Sequence, residues 1–386
     1  MEKKIKSLCI ITAGYPSEDN PVYTFVDQLV CEFADNEIDC VVISPSSISK
    51  RIVRNLNKTS RVSIRETKKG NKIRVYRPRF LSFSHKFLNL NTALFTYINF
   101  KRCVMKEIRK QKITPDGIYG HFILPSGMCA AEIGEKLCVP SFLAYGESSP
   151  ENFKYVKKNT IKKNLSKLNG VISVSSENKR ELLDLNLIKK SDDIAVFPNG
   201  IDNKKFYQID RNAAREKLNM PKDAFIIAFV GSFIERKGVN LLSKALNDLD
   251  DIYSIFIGNG HNEPNCKNIL FKGKVPNENL YLYLNAADVF VLPTQAEGCC
   301  NAIIEAMACG LPIISSDQPF NDDILNNENS IRLDVKDEEA IKKAIISLKD
   351  NQELRKKMSE ASLVKASDLN IKQRAKNIIE YMESTK

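Results

Sequence analysis

Short apolar, β-rich runs alternate with helical patterns along the whole sequence, and this alternation constrains the fold more than any other feature. Predicted helices such as 23–33, 241–246, 278–286 and 338–348 separate the runs. Continuous apolar strands with intervening helices are typical of parallel sheets covered on both faces. The runs predicted as strands are 5–12, 40–44, 117–119, 141–144, 171–174, 194–197, 225–230, 253–257, 269–272, 289–292, 312–315 and 330–333.

The predicted strands fall into two equal sets, divided at the turn Pro198-Asn199-Gly200. The pattern therefore predicts two doubly wound, Rossmann-like α/β domains, 1–198 and 199–369. An amphipathic helix, 370–386, follows them and is expected to return to the first domain. Ligands of open parallel sheets bind beyond the carboxyl ends of the strands. Two such domains facing each other would form one cleft.

Composition excludes several classes of protein. The 386 residues suffice for two hydrophobic cores. No apolar run reaches the roughly 18 residues of a membrane span, and the apolar stretch near the start is predicted as a strand, not a signal peptide. The ten cysteines include no C-x-x-C pair, and the three histidines lack metal-ligand spacing. A reducing, cytoplasmic compartment and no structural zinc are expected.

Positive charge is concentrated in the first half of the chain. Residues 1–200 hold 33 lysines and arginines against 20 aspartates and glutamates, whereas residues 201–386 hold 25 against 27. Residues 51–110 alone carry 17 basic and 2 acidic side chains. This asymmetry favours an anionic partner for the first half: nucleic acid, phosphate or an acidic membrane surface.

The most informative stretch, 296–312, follows a predicted strand and opens a helix that should end at Gly310. The backbone N–H groups from Gly298 to Asn301 are expected at the start of this helix, where unpaired donors and partial positive charge suit a diphosphate. Glu305, eight residues after Glu297, can reach a pair of ribose hydroxyls. The alternative is that Glu297 only stabilises the helix start and Glu305 faces solvent.

Several segments in order carry a family resemblance. The Glu297-x7-Glu305 spacing within EGCCNAIIEAMACGLPII resembles the E-x7-E signature of retaining glycosyltransferases of family 4, which have the GT-B fold. Residues 229–238 (FVGSFIERKG) resemble the phosphate loop of that family, and 196–202 (VFPNGID) its inter-domain segment. Residues 256–260 and 286–293 also fit. The resemblance implies a GT-B fold with its two Rossmann-like domains facing across a cleft.

For the donor, the resemblance implies that Lys237 neutralises the diphosphate and that Glu297 contacts the donor sugar. Ser232 stands where the family often has a second cation, so Arg236 either compensates for it or is a solvated side chain. The backbone at Val275 matches a nucleobase contact. Cys299 and Cys300 replace the usual aromatic residue and glycine; they would line the sugar pocket, with their amides facing phosphate, rather than form a redox pair.

In the first domain, residues 118–127 (IYGHFILPSG) resemble the strand-end histidine segment of the family. His121 is therefore expected to contact the donor sugar or the acceptor hydroxyl, although a lone histidine is more often structural. Tyr145 stands where relatives usually have a histidine. Tyr145, Glu147 and Gly14 are the candidate acceptor-side residues, while the glycine pair of many relatives is missing after Gly14.

The resemblance implies a reaction without a metal or other cofactor. Lys237, Arg236 and the helix N-terminus would stabilise the leaving diphosphate, and Glu297 an oxocarbenium-like state. The acceptor hydroxyl would attack from the face of the leaving group. Asp248-Leu249-Asp250 looks like a metal-binding D-x-D, but its place at a helix end predicts solvated acids.

Residues 72–102 mix aromatic rings with cations, a pattern that suits an anionic membrane surface. The alternatives are a solvated face over core aromatics and, less favoured, nucleic acid. With the resemblance, the mixture predicts a peripheral protein at the inner face of the membrane and a lipid-linked acceptor.

The sequence as a whole predicts a retaining, metal-independent glycosyltransferase. It would move a sugar from a nucleotide-diphosphate-sugar donor to a glycan acceptor in bacterial surface polysaccharide synthesis, of the capsule, exopolysaccharide or O-antigen type. Two alternatives remain. One is a catalytically weak GT-B-like binding module, suggested by Ser232 and Tyr145; the other is a nucleotide-sugar epimerase on the same fold.

Overall fold

The computed structural model describes residues 4–17, 23–49, 60–83, 86–87, 90–148, 153, 155–334 and 336–385. The chain forms two compact units. Unit 1 comprises Met1–Phe197 and Ile371–Lys386, and unit 2 comprises Pro198–Asn370. Each unit is an α/β structure built on one large sheet. The observed units thus place the chain's last helix in unit 1.

Unit 1 contains an eight-stranded sheet in the order β12-β11-β10-β9-β1-β2-β5-β4. The direction of strand addition reverses between β1 and β9, which makes this the switch point where ligands bind in such sheets. The strands and two short ribbons of unit 1 are β1 (Ser7–Thr12), β2 (Asp39–Ile43), β3 (Ser46–Ser47), β4 (Val62–Glu66), β5 (Lys72–Tyr76), β6 (Arg79–Phe80), β7 (Lys86–Phe87), β8 (Leu90–Asn91), β9 (Gly117–His121), β10 (Ser141–Tyr145), β11 (Gly170–Ser173) and β12 (Ile194–Val196).

The expectation of purely parallel pairing is wrong at one edge of this sheet. Strand β4 runs antiparallel to β5, joined by a tight turn in which the Thr67 N–H donates to the Asn71 carbonyl at 2.9 Å. Gly70 adopts a φ of +85° in this turn, a conformation that glycine adopts without steric cost. The hairpin has no apolar run because most of β4 is exposed.

The helices of unit 1 cover both faces of its sheet. They are α1 (Thr24–Asp35), α2 (Ala93–Lys110), α3 (Met128–Leu137), α4 (Lys158–Leu165), α5 (Ser176–Asp184) and α12 (Ile371–Ser384). Helix α12 lies beside α1, and its Ala375, Ile378 and Met382 are buried in the same core cluster as β1 and β2. The Ile5 N–H donates to the Glu383 carboxylate at 2.8 Å. Burial and this bond hold the C-terminal helix in unit 1.

Unit 2 contains a six-stranded, fully parallel sheet in the order β15-β14-β13-β16-β17-β18. Its switch point lies between β13 and β16, which follows because β14 and β15 add on one side and β17 and β18 on the other. The strands are β13 (Phe225–Val230), β14 (Ile252–Ile257), β15 (Ile269–Gly273), β16 (Val289–Leu292), β17 (Ile313–Ser316) and β18 (Ser330–Leu333).

The helices of unit 2 are α6 (Arg211–Lys217), α7 (Val239–Asn247), α8 (Leu280–Ala286), α9 (Asn301–Ala308), α10 (Glu338–Asp350) and α11 (Gln352–Asp368). Polar side chains cap several of their starts; Asp337 accepts from the Ala340 N–H at 3.0 Å, and Asn351 from the Leu354 N–H at 2.9 Å. Gly310, at a φ of +76°, ends α9 as predicted.

The described part of the chain contains no helix that is both long enough and apolar enough to cross a membrane.

Candidate active site

Two residues predicted as catalytic lie together at the switch point of unit 2. Lys237 follows β13 in a single 3₁₀ turn, Glu235–Lys237, and Glu297 follows β16. The Lys237 ammonium donates to Oε1 of Glu297. Both side chains are largely buried, with exposed fractions of 14% and 12%. A cation and a carboxylate therefore occupy one point at the carboxyl edge of the sheet, where ligands of open parallel sheets bind.

The turn that carries Lys237 is bound tightly to the loop that carries Glu297. The Gln295 N–H donates to the Arg236 carbonyl at 2.8 Å, and Gly238 follows at a φ of +74°. A Cβ atom at Gly238 would lie 2.2 Å from the carbonyl oxygen of Pro293. Only glycine permits this approach, so Gly238 is needed to bring the lysine and the glutamate together.

Three further glycines bring the neighbouring loops of β13 and β14 into backbone contact. A Cβ atom at Gly258 would lie 1.9 Å from the Gly231 carbonyl, and one at Gly260 would lie 2.1 Å from the Phe233 carbonyl. The Gly231 N–H donates to the Ile257 carbonyl at 2.9 Å. The two loops are therefore packed backbone against backbone, and Ser232 lies exposed within the loop after β13.

Helix α9 begins later than the sequence suggests. Its first residue is Asn301, and Cys300 is the N-cap, so Gly298 and Cys299 lie in the preceding loop; the expectation that they open the helix is wrong. The loop is irregular because it is bound to the turn at Arg236 rather than to the helix. Among the described residues, the N–H groups of Gly298 and Asn301 have no acceptor, and both remain available to an anion.

Asn199 is a site residue that the sequence analysis interpreted only as part of a turn. Its Nδ2 donates to Oδ1 of Asn301 at 2.8 Å and approaches the Cys299 carbonyl at 3.4 Å. Its backbone N–H approaches Sγ of Cys299 at 3.4 Å. Asn199 thus fixes the start of α9, and no local signal in the sequence connects residues 100 positions apart.

Glu305 lies on the second turn of α9 and is ready to accept hydrogen bonds. Burial raises its pKa to about 8, an effect that the nearby Lys205 reduces. Its carboxyl group has no hydrogen-bond donor among the residues that the structure describes. A half-buried, unpartnered carboxylate on the second turn of the helix suits a pair of hydroxyl groups.

The other predicted donor-side residues differ in what their side chains present. Cys300 is buried, with an exposed fraction of 3%, and burial raises the pKa of its thiol to about 11. Cys299 is half-buried. Val275 follows β15 and Gly273 and packs partly against the core. The Arg236 guanidinium donates to the Ala296 carbonyl, so it points at the Glu297 loop.

In unit 1, His121 ends β9 at the switch point of that sheet. Its ring packs against Phe122 and Phe25, with centroids 4.6 and 5.3 Å away, and its buried Nδ1 has no partner among the described residues. Burial, aided by the charge of Arg374, lowers its pKa to about 3. At neutral pH His121 is therefore an uncharged donor and acceptor.

The structure does not present Tyr145 to a ligand. Its side chain is fully buried, and its hydroxyl donates to the Glu181 carboxylate. Glu147 is also buried, and burial raises its pKa to about 8. Its carboxylate accepts at 2.8 Å from the N–H of Ile123, two residues after His121. Gly14 follows β1, and its carbonyl accepts from the Thr12 hydroxyl at 2.7 Å.

The acids of the D-x-D sequence lie on the surface, paired with lysines. Asp248 accepts from Lys342, and Asp250 accepts from Lys267 at 2.7 Å. Within the ranges that the structure describes, no group of three or more histidine, cysteine or acidic side chains could hold a metal ion.

The segment 72–102 exposes an apolar cluster next to basic side chains. Leu81, Phe83, Leu94 and Phe95 have exposed fractions between 43% and 64%. The Phe83 N–H donates to the Thr96 hydroxyl at 3.0 Å, which joins the loop to the start of α2. Further along α2 the exposed residues are basic: Arg102, Lys106, Arg109 and Lys110. His85, Leu88 and Asn89 lie outside the described residues.

Comparison with known proteins agrees with this geometry. Residues 210–363 match the family model described as "Glycosyl transferases group 1". TuaC of Bacillus subtilis, named as a teichuronic acid biosynthesis glycosyltransferase, is 28% identical over an alignment of 361 residues, which covers 89% of each chain.

Two solved structures have the same fold across nearly the whole chain. Sucrose-phosphate synthase of Thermosynechococcus elongatus gives a TM-score of 0.75 at 18% identity and 97% coverage of both chains. HepE of Anabaena, solved in complex with UDP-glucose, gives 0.73 at 13% identity, covering 98% of this chain and 99% of its own. The chain therefore has the GT-B fold, and its residues 210–363 match the model of the group 1 glycosyltransferases.

Proposed function

We propose that this protein transfers a sugar from a nucleoside-diphosphate sugar to a lipid-linked glycan acceptor, with retention of anomeric configuration, in bacterial surface polysaccharide synthesis. The observation that carries the proposal is the meeting of Lys237 and Glu297 at the switch point of unit 2, beside the start of α9. The similarity to TuaC supports the pathway, and the UDP-glucose complex of HepE supports the donor class.

Unit 2 supplies the groups that a donor needs. In the proposed complex, Lys237 turns from Glu297 to the diphosphate, whose other oxygens accept from the N–H groups of Gly298 and Asn301. Glu305 accepts the two ribose hydroxyls. The backbone beside Val275 and Gly273 meets the base, and Cys299 borders the sugar. Releasing Lys237 also frees the Glu297 carboxylate for hydroxyls of the sugar.

In the transfer step, the bond between C1 of the sugar and the phosphate oxygen breaks as a bond from C1 to the acceptor oxygen forms. The electron pair of the broken bond leaves with the diphosphate, where Lys237 and the start of α9 stabilise the negative charge. The acceptor hydroxyl attacks from the same face and gives its proton to the departing phosphate oxygen, which preserves the configuration. In this proposal the Lys237 side chain and backbone N–H groups supply the stabilisation, without a metal or other cofactor.

We assign acceptor binding to unit 1. His121 is uncharged and has an unpartnered Nδ1, so it suits hydrogen bonding to a hydroxyl and not charge pairing. Gly14 leaves the loop after β1 without a side chain at the same switch point. Glu147 accepts from the N–H of Ile123, two residues after His121, and so holds the segment that follows the histidine.

The exposed apolar cluster of Leu81, Phe83, Leu94 and Phe95, with the basic face of α2, supports contact with an anionic membrane at its cytoplasmic face. Apolar side chains enter the headgroup region while lysine and arginine pair with lipid phosphates. Such contact would bring unit 1 to a lipid-linked acceptor.

A thermal-shift screen of the purified protein against UDP, GDP, ADP and CMP, and then their sugars, tests the donor class, because ligands that bind the native state raise the melting temperature. We expect one base to be preferred, with the same shift in EDTA. Lys237→Ala should weaken diphosphate binding by about 1.5–3 kcal/mol, and Glu297→Gln should lower turnover far more than affinity. No shift with any nucleotide, in buffer or with acceptor lipid present, would contradict the proposal and favour a binding module.

A further inference from the structure

The carboxylate of Glu297 is held asymmetrically. Its Oε1 receives the Lys237 ammonium, the Thr294 hydroxyl at 2.8 Å and the Arg236 guanidinium at 3.3 Å. Its Oε2 has no donor among the described residues. One oxygen is therefore held by hydrogen bonds from Lys237 and Thr294 and by an ion pair with Arg236, while the other is presented, and this orientation exists before any ligand binds.

Arg236 is joined to the Glu297 loop at both ends of the residue. Its backbone carbonyl accepts from the Gln295 N–H at 2.8 Å, and its guanidinium donates to the Ala296 carbonyl. These bonds direct the side chain along the loop. To serve as a phosphate ligand, the guanidinium would have to give up the Ala296 carbonyl and the carboxylate together.

Thr294 completes the same arrangement from the other side. It is fully buried, and its hydroxyl lies 2.8 Å from Oε1 of Glu297 and 3.3 Å from the Arg236 carbonyl. A hydroxyl has one proton to donate, and the shorter distance gives it to the carboxylate. The sequence pattern did not indicate that Arg236 or Thr294 holds Glu297. It indicated that Arg236 is a phosphate ligand or a solvated side chain.

We infer that Arg236 and Thr294 are positioning residues that keep Glu297 aimed at the donor sugar, and that Arg236 is not a phosphate ligand. The inference rests on the proposed function. When a diphosphate draws Lys237 away, the carboxylate loses one of its two hydrogen bonds but keeps the other, from Thr294, and the ion pair with Arg236. Arg236 and Thr294 remain, so Oε2 keeps its direction during transfer.

The test compares Thr294→Val, which keeps the shape but removes the hydroxyl, with Thr294→Ser, which keeps the hydroxyl. Arg236→Gln removes the guanidinium, Lys237→Ala is the phosphate-ligand reference, and Lys244→Gln removes an exposed charge from α7 as a control. Two quantities are measured for each variant: kcat, and the Kd values of UDP and UDP-glucose by calorimetry, or of GDP and GDP-mannose if guanine is preferred. Melting temperatures verify that each variant is folded.

We expect Thr294→Val and Arg236→Gln each to lower kcat about tenfold or more, with the Kd of the diphosphate changed less than about twofold. Thr294→Ser should restore most of the activity, and Lys244→Gln should behave as wild type. Because both residues act through one carboxylate, the double variant should lose less than the product of the single losses. In both single variants, the ratio of the Kd of the free diphosphate to the Kd of the nucleotide sugar should also be smaller than in the wild type.

A loss of diphosphate affinity in Arg236→Gln as large as that in Lys237→Ala would overturn the inference and make Arg236 a phosphate ligand. Equal loss of kcat in Thr294→Ser and Thr294→Val would show that only packing matters. Failure of the proposed function has a different signature: the wild-type protein would bind neither diphosphate nor nucleotide sugar, and Lys237→Ala would change nothing. The Kd values of the nucleotide sugar and the diphosphate are measured without an acceptor. Their ratio therefore decides the inference even where the acceptor is unknown.

Discussion

The Glu305 carboxyl group is expected to change its charge near neutral pH, because burial raises its pKa to about 8. Ribose hydroxyls donate more strongly to a carboxylate than to a carboxylic acid, so donor binding should favour the ionised form and release a proton. We expect the affinity for a nucleoside-diphosphate sugar, whose phosphates do not titrate in this range, to rise between pH 6 and pH 8, by at most about tenfold per pH unit. Calorimetry across this range, in buffers of different ionisation enthalpy, measures both effects.

Glu305→Gln provides the control, because it cannot titrate and should bind with an affinity independent of pH in this window. The same raised pKa has a cost in stability: ionising a buried carboxyl should make the folded protein less stable as pH rises from about 4.5 towards 8. A wild-type affinity that is flat with pH, together with no proton release, would mean that Glu305 does not hold the ribose.

At this scale, the sequence predicted the places of residues that follow the end of a strand. Glu297 and His121 were expected after apolar runs and Lys237 from the family resemblance, and all three lie at switch points. It could not predict contacts between distant segments, such as Asn199 with Asn301. It also placed Tyr145 at a site, although alternation along β10 turns that side chain into the core.

At the scale of elements, Gly238 allows the turn at Lys237 to approach the loop at Glu297. Substitutions at Gly238 and at Gly70 form a matched pair that tests this. Gly238 and Gly70 both have a positive φ, +74° and +85°. A Cβ atom at Gly70 would meet only a side-chain oxygen at 3.9 Å, whereas one at Gly238 would meet the Pro293 backbone at 2.2 Å. Gly70→Ala should therefore cost only the backbone strain, about 1–2 kcal/mol, and Gly238→Ala more.

Urea unfolding measures both costs, and nucleotide binding separates their consequences. We expect Gly238→Ala to weaken diphosphate affinity because the Lys237 turn must move away from the Glu297 loop, while Gly70→Ala leaves affinity unchanged. Equal destabilisation by the two substitutions, with affinity preserved in both, would contradict the importance of this close approach.

The elements themselves were largely predictable, for a physical reason. Strands buried on both faces form continuous apolar runs, and the predicted strands in both units match observed ones to within a few residues. The hairpin of β4 and β5 was missed because neither strand is a continuous apolar run: β4 is mostly exposed, and buried residues of β5 are interrupted by exposed ones. The start of α9 was placed too early because the preceding loop is held by distant residues, which no local pattern records. Arg236 is hydrogen-bonded to Gln295 and Ala296, and Asn199 to Cys299.

At the scale of the whole molecule, α12 should stabilise unit 1 alone. Ile378 is fully buried in the unit 1 core, and Lys376 is exposed on the same helix. Ile378→Ala should cost about 2–5 kcal/mol, whereas Lys376→Ala should cost almost nothing. Hydrogen exchange measured by mass spectrometry should show faster exchange in α1 and β1 of the Ile378 variant.

The same experiment should show unchanged protection at the turn of Lys237 and the start of α9. Diphosphate binding should also persist in Ile378→Ala, since the donor groups all belong to unit 2. Exchange that accelerates equally in both units would contradict a separate role for α12.

The chain enters unit 2 at Pro198 and leaves it at Asn370, and these two passages lie side by side, with the Ile201 N–H donating to the Leu369 carbonyl at 2.7 Å. Unit 2 is thus continuous in the chain, but unit 1 needs its last sixteen residues, 371–386. On the ribosome, the core of unit 1 lacks α12 until all of unit 2 has been translated. The residues of unit 1 that are made first therefore remain without this helix for a time on the order of ten seconds or more. The unit made second can therefore finish folding first, and the early strands of unit 1 are the part of the nascent chain with most need of chaperones.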